Sequence, residues 1–405
     1  MTSRERVLTT LAHKEPDRVP IDFGGMRSTG IMAIAYNKLK AYLGITGGET
    51  RVYDTMQQLA LPEPPILERF HVDVIDLNNT LGRFEEEWKD WTLPDGSPAK
   101  VPVDFNPIRE GDCLVVKDSL GRVQMRMPDG CLYFEPCFNP LADAHTFADV
   151  DRLFEMKPVE PKDLLRMQER AKWLYENTDY AIMLGFGGNI LEGGQNAFGW
   201  ERFMTEIALN TALVEYALDK MVEVYMENLQ IYLEMLGGYI QLIQMGDDLG
   251  TQIATMLSPD LYRRVVKPRH AKQYWYVREH SDVHVFLHAC GSCWEIMGDL
   301  VEEGVEVLNP VQTSAAGMDP RRLKKEFGDK LTFWGGGCDT QSVLPNATPE
   351  EIERHVKERI EIFAPGGGFV FTQIHNVQAN VPPQNVVACY DAAWRYGEYP
   401  IGSID

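Results

Sequence analysis

The chain has 405 residues, 44% hydrophobic and 24% charged, the balance of a water-soluble globular enzyme and too polar for a bilayer protein. Its 60 acidic side chains against 39 Lys and Arg give a formal charge of −21, which argues against nucleic acid or an anionic membrane as partner and leaves a small molecule or a basic protein patch. With no long apolar run, no signal-type start and only seven cysteines, a cytoplasmic chain with reduced thiols is expected.

The N-terminus reads as a helix capped at Thr2 or Ser3, with Val7, Leu8 and Leu11 at helical spacing. Residues 19–25, apolar and closed by two glycines, give a first strand, and 31–43 a helix. Residues 72–79 give the second strand and 180–188 the third, followed by helices over 200–208 and 212–236. Residues 239–248 form the fourth, and the next helix opens at Ser258-Pro259, a cap followed by proline. The fifth strand begins near Asp282 and carries His288 and Cys290; residues 304–312 and 331–335 are the sixth and seventh. Thr348-Pro349-Glu350-Glu351 has the form of a capping box, 368–376 is the eighth strand, and 384–396 a closing helix.

Eight strands, each followed by helical sequence, predict an α/β fold, a (β/α)₈ TIM barrel, with the whole chain as one domain. Residues 81–146 break the alternation. Turns at Pro94-Asp95-Gly96, Asp118-Ser119-Leu120-Gly121 and Pro128-Asp129-Gly130 separate short alternating runs, which predicts an antiparallel β-hairpin insertion after the second strand. Such an insertion would roof the pocket or form a dimer contact. Gly185-Phe186-Gly187-Gly188 misses the glycine spacing of a dinucleotide site.

Barrels place catalysis at the C-terminal ends of their strands, and polar residues gather there. His288 and Cys290 are two apart and leave one face of the fifth strand, while Cys338 follows the seventh. If the two ends meet, an imidazole and two thiolates form a zinc-type ligand set with a fourth position open. The alternative is three ordinary buried residues. Asp247 and Asp248 are candidate catalytic carboxylates, able to orient His288, add a ligand or move a proton; a solvated turn pair is the plainer reading. His375 is a candidate acid–base residue or a structural histidine. Asp22, Asn189, Gln312 and Trp334 are candidates for substrate contact, with backbone capping or plain core as alternatives. Cys290-Gly291-Ser292-Cys293 matches a redox motif in form only, since it sits on the fifth strand of a long chain.

At these residues the sequence resembles the uroporphyrinogen decarboxylase superfamily, and within it the zinc-dependent, corrinoid-linked methyltransferases. The resemblance runs through Arg4-Glu5-Arg6-Val7-Leu8, Arg18-Val19-Pro20-Ile21-Asp22, Gly246-Asp247-Asp248-Leu249-Gly250 with Ser258-Pro259, His288-Ala289-Cys290-Gly291 and Gly335-Gly336-Gly337-Cys338-Asp339. It implies a TIM barrel and zinc on His288, Cys290 and Cys338. It also implies a corrinoid (cobalamin) on a partner protein and a homodimer. The decarboxylase itself fits less well: an arginine-rich stretch that grips carboxylates is replaced by Gly25-Met26-Arg27-Ser28-Thr29-Gly30, with one arginine. The activity expected is transfer of a methyl group from a small donor, an aryl methyl ether for preference (O-demethylation), to the cobalt of the corrinoid protein. Methyl-corrinoid to thiol transfer, a metal-free decarboxylase, and a non-catalytic protein with structural zinc are the rivals.

Overall fold

Seven short parallel strands form one curled sheet in the computed structural model, which describes residues 1–80 and 84–402. They are Val74–Asp76 (β1), Ala181–Gly187 (β2), Leu242–Gly246 (β3), His284–His288 (β4), Val307–Asn309 (β5), Thr332–Trp334 (β6) and Phe369–Val370 (β7), each paired with the next in chain order. Parallel neighbours need crossovers, and helices supply them. Those that matter below are Leu191–Phe198 (α1), Thr211–Leu236 (α2), Lys267–His280 (α3) and Pro383–Tyr396 (α4).

The segment read as the first strand closes the ring, but with a single bridge instead of a ladder. Ile21 pairs with Phe371, Phe371 N–H donates to the Pro20 carbonyl at 2.8 Å, and Asp73 N–H donates to the Ile21 carbonyl at 2.8 Å. Pro20 has no N–H to give. The Ile21 N–H goes to the Asp73 carboxylate at 2.8 Å instead. The closed ring is an α/β barrel of the TIM type.

Side-chain alternation then builds two separate cores. Val74, Met183, Leu242, Phe286, Val307, Trp334 and Val370 point into the barrel and form one buried cluster, with Val7 and Leu11 of the N-terminal helix beneath. Ile75, Ile182, Ile243, Val285, Leu308 and Phe333 point outward and join the larger core under the helices. Each such side chain contributes about 1.5–3 kcal/mol on burial. Two positions beyond the apolar interior layer, on the same face, stand Asp76, His288 and Asn309. The alternation thus carries the chain from a dry interior to a polar mouth.

The N-terminal helix Ser3–Leu11 is capped at Thr2, whose side chain and Glu5 form a reciprocal box. Below the barrel, Arg6 and Arg18 each reach the fully buried Asp73 carboxylate at 2.7 Å. The Thr348–Glu351 capping box opens Pro349–Phe363 as predicted.

The insertion read from Leu81 begins on residues 81–83, which lie outside the described residues. Beyond them, Trp88–Thr92 pairs antiparallel with Pro98–Pro102, and Cys113–Lys117 with Val123–Pro128. Among the described residues no helix is long and apolar enough to cross a membrane.

Candidate metal centre

At the mouth, His288 Nε2 or Nδ1, Cys290 Sγ and a ring nitrogen of His375 all lie within 4.8 Å of one another. Cys290 Sγ is 3.3 Å from His288 Nε2, and the two imidazole rings are 5.8 Å apart. The orientation of His288 is fixed from behind. Its Nδ1–H donates to Asn309 Oδ1 at 2.6 Å, across the β4–β5 register that pairs these two residues. The Asn309 amide cannot turn over, because its Nδ2 donates to the Trp334 carbonyl at 2.8 Å. With Nδ1 carrying the proton, the Nε2 lone pair faces Cys290 and His375.

His375 follows β7 in a left-handed conformation, φ 68°, a strained setting that surrounding structure must hold. Burial first, then the neighbouring His288, pulls its ring down to about 4, so it is neutral near pH 7 and free to accept. Burial and then Asp248 push the Cys290 thiol well up. An unaccompanied thiolate is therefore disfavoured here, and a bound cation would remove the penalty. Two imidazoles and a sulfur suit zinc, which takes a fourth ligand beside three from the protein. The donor set fits.

Glycines allow the packing around it. The loop Gly250–Thr251 lies against Cys290–Ser292, with Gly250 N–H to the Cys290 carbonyl at 3.1 Å and Ser292 N–H to the Thr251 carbonyl at 2.8 Å. A Cβ on Gly291, φ 85°, would stand 2.3 Å from the Gly250 backbone.

Of two cavities, the first touches the cluster and the second is lined by none of its three residues. One, about 650 Å³, is lined by Cys290, His375, Gln312, Asn376, Gln378 and Tyr133 among others. Tyr133 comes from the antiparallel region and donates to Asn376 Oδ1 at 3.1 Å. The second, about 630 Å³, holds Asn189, Glu192 and Arg27 against Phe138, Met221 and Tyr225. The antiparallel region thus contributes a wall to each.

The model of the family described as "Uroporphyrinogen decarboxylase (URO-D)" matches residues 111–396. The chain belongs to the uroporphyrinogen decarboxylase family. A uroporphyrinogen decarboxylase of Pseudoalteromonas atlantica is 32% identical over 79 residues, covering 20% of this chain and 21% of that protein. A solved "methyltransferase from Methanosarcina mazei" shares the fold over 98% of this chain and 99% of its own, at 19% identity and a TM-score of 0.55.

In this uroporphyrinogen decarboxylase family barrel the residues singled out from sequence separate clearly. His288 and Cys290 meet, as their spacing suggested, and His375 joins them. Cys338 does not. It is fully buried and, with Cys389 of α4, belongs to the outer core under the helices. The three glycines before it turn the chain through φ 124° and 69° at Gly335 and Gly336, so the strand's alternation stops predicting where Cys338 points.

Asp247 also lies outside the cluster. It is fully buried and accepts the N–H groups of Ile190, Leu191 and Glu192 at 2.7–3.0 Å, holding the start of α1, and His270 Nε2 lies 2.9 Å away. Four partners use the whole carboxylate. Asp248 does reach the centre: Oδ1 accepts the Cys290 N–H at 2.9 Å and lies 3.6 Å from His288 Nε2. Asp22 and Trp334 are partners to each other, Nε1–H to Oδ2 at 2.7 Å, fully buried in the barrel, and neither lines the two cavities. Gln312 accepts the Gly291 N–H at 2.8 Å, bracing the loop after Cys290 while lining the first cavity. Asn189 donates to Glu192 at 2.7 Å on the second. Sequence reasoning missed Asn309 and Glu192. Asn309 was readable from its place beside His288 on the next strand; Glu192 was not, since the helix Leu191–Phe198 that carries it was not expected from the sequence.

Proposed function

We propose that the protein is a zinc-dependent methyltransferase that moves a methyl group from a small donor, an aryl methyl ether, to the cobalt of a corrinoid carried by a partner protein. One observation carries this reading: a histidine, a cysteine and a second histidine, all partly buried, converge at the mouth of a barrel of this family, with the first imidazole locked by Asn309 into the tautomer a metal needs. The printed name of the Methanosarcina mazei neighbour agrees with it.

His288, Cys290 and His375 would hold the ion. Bound there, zinc supplies Lewis acidity toward the oxygen that parts from the methyl group, and the partner's corrinoid supplies the nucleophile. The chain's own side chains do the rest. Asn309 keeps Nε2 of His288 bare, and Asp248 and Gln312 hold the backbone on either side of Cys290 in place. Phe138, Met221 and Tyr225 offer the apolar wall that an aromatic ring would enter. The first cavity's uncharged side chains leave a polar approach for the partner.

Elemental analysis tests the metal: about one zinc per chain is expected. Cys290→Ser and His375→Ala should each lose zinc and methyl transfer to a cobalt(I) corrinoid protein while keeping the fold by circular dichroism. Cys338→Ser should keep both. Zinc lost with Cys338→Ser and retained in His375→Ala would overturn the ligand set. Metal-independent release of carbon dioxide from a carboxylated ring would establish the decarboxylase instead.

A further inference from the structure

Glu192 is a carboxyl group that the metal centre leaves without a task. It sits in the first turn of α1 and lines the second cavity beside Asn189 and Arg27. Asn189 Nδ2 donates to its Oε2 at 2.7 Å, and Asp248 N–H donates to the same oxygen at 3.1 Å. Among the described residues Oε1 carries no hydrogen bond. One oxygen is held, the other is offered to whatever fills the cavity.

The groups around it come from several elements. Asp247 and Asp248 stand behind it at the end of β3, and Tyr225 of α2 donates to the Asn189 carbonyl at 3.3 Å. Glu155 and Arg27 share the cavity wall, Arg27 being tied to Asp54. Burial first, then the charges of Asp248 and Asp247, push Glu192 up to about 7. Near neutrality, then, the group can hold a proton and can lose it.

We propose that Glu192 is a catalytic acid, which hands its proton to the oxygen leaving the methyl donor, with Asn189 as its positioning residue. The assignment rests on the methyl-ether reading above and adds the proton's source. As the methyl–oxygen bond breaks, its electron pair stays on oxygen. The methyl carbon receives a new pair from the reduced cobalt(I) corrinoid of the partner. The oxygen takes the proton from Glu192 Oε1, so the product departs as a neutral phenol. The carboxylate left behind regains a proton from water before the next turnover.

Leaving-group acidity tests it. The zinc-loaded protein and its cobalt(I) corrinoid partner are given methoxybenzene and a nitro-substituted methoxybenzene, whose phenolate departs with little protonic help. Glu192→Gln should slow the first donor by about 10²–10⁴-fold and the second far less. A Glu192→Gln variant that slows both equally, or neither, overturns the acid role while the methyl-ether reading stands. A wild-type protein that demethylates neither donor overturns that reading and this assignment together. Should Glu192→Gln not fold, Glu192→Asp and Asn189→Ala are read by the same donor comparison. Without corrinoid, calorimetry gives a second readout. The ether only accepts hydrogen bonds, so its affinity for the wild type should fall from about pH 6 to about pH 8.5 as Glu192 loses its proton. In Glu192→Gln, which always donates, it should stay flat, and a flat wild type overturns the proposal.

Discussion

Asn309 lines neither of the two cavities described above, yet it decides what His288 can do. If its Oδ1 were lost, the imidazole could rotate or take the proton on Nε2, and the donor would vanish. Asn309→Ala should therefore weaken the proposed zinc binding by about 10–100-fold, the usual cost of removing a group that orients a metal ligand. Competition with a metallochromic chelator measures this, and Asn309→Ala with wild-type affinity would refute the role. Asn309→Asp should cost less, since a carboxylate still accepts from Nδ1–H. The same scale separates Asp248 from Asp247, adjacent in sequence and opposite in use. One braces Cys290; the other is consumed by a helix start and by His270.

That second arrangement is a property of elements, because it ties α1 and α3 to the end of β3. His270, fully buried on α3, lies between Asp247 at 2.9 Å and Glu303 at 3.3 Å, and Tyr262 donates to Glu303 at 2.6 Å. Burial alone would lower the imidazole, but the hydrogen bonds and charges of Asp247 and Glu303 outweigh it and raise it to about 9. Its folded value therefore lies above the ordinary one of about 6.5. Its stabilising contribution is complete below about pH 6.5 and is lost as pH rises through about 9. Urea midpoints should fall across that interval in the wild type, and this component should be absent from His270→Gln. The variant itself should cost about 3–5 kcal/mol, because it leaves two buried carboxylates without their cation.

Elements also explain what could be read from sequence. Alternation is a local rule, and where a strand stays regular it held: Phe286 points inward, and so does His288 two residues on. Asp22 and Trp334 were found by position but misread by use, since each satisfies the other inside the barrel. Cys338 was lost to the turn before it. A Cβ on Gly335 would meet the Pro310 carbonyl at 2.2 Å, so the chain must swing there in a way that no count of residues anticipates. Gly335→Ala should accordingly be strongly destabilising, with a fall in melting temperature as the measure. His375 was noticed, but its place beside His288 and Cys290 depended on knowing how the residues after β7 fold.

At the scale of the molecule, the barrel interior is separate from the outer core, and the N-terminal helix stoppers it from below. Asp73 binds that stopper through Arg6 and Arg18, so Asp73→Ala should cost about 3–5 kcal/mol, with chemical denaturation as the check. Removing Asp73 leaves the mouth untouched, and the zinc stoichiometry proposed above should survive it at low temperature. The charge of −21 bears on encounter with the proposed corrinoid partner. If the corrinoid protein offers a basic face, association should slow as salt is added, since surface fields are screened within about 10 Å at 0.1 M.

The three side chains proposed to hold zinc come from separate arcs of the ring: His288 and Cys290 at and just after the end of β4, His375 after β7, whose neighbour is the bridge at Ile21 that completes the circle. No single supersecondary unit owns the centre. A chain whose last staves have not docked has half a chelate, and half a chelate holds an ion poorly. Metal capture then becomes a timestamp for the seam: in a refolding experiment, quenching of a zinc-sensitive dye's signal should lag behind the return of helical ellipticity and coincide with the final slow phase.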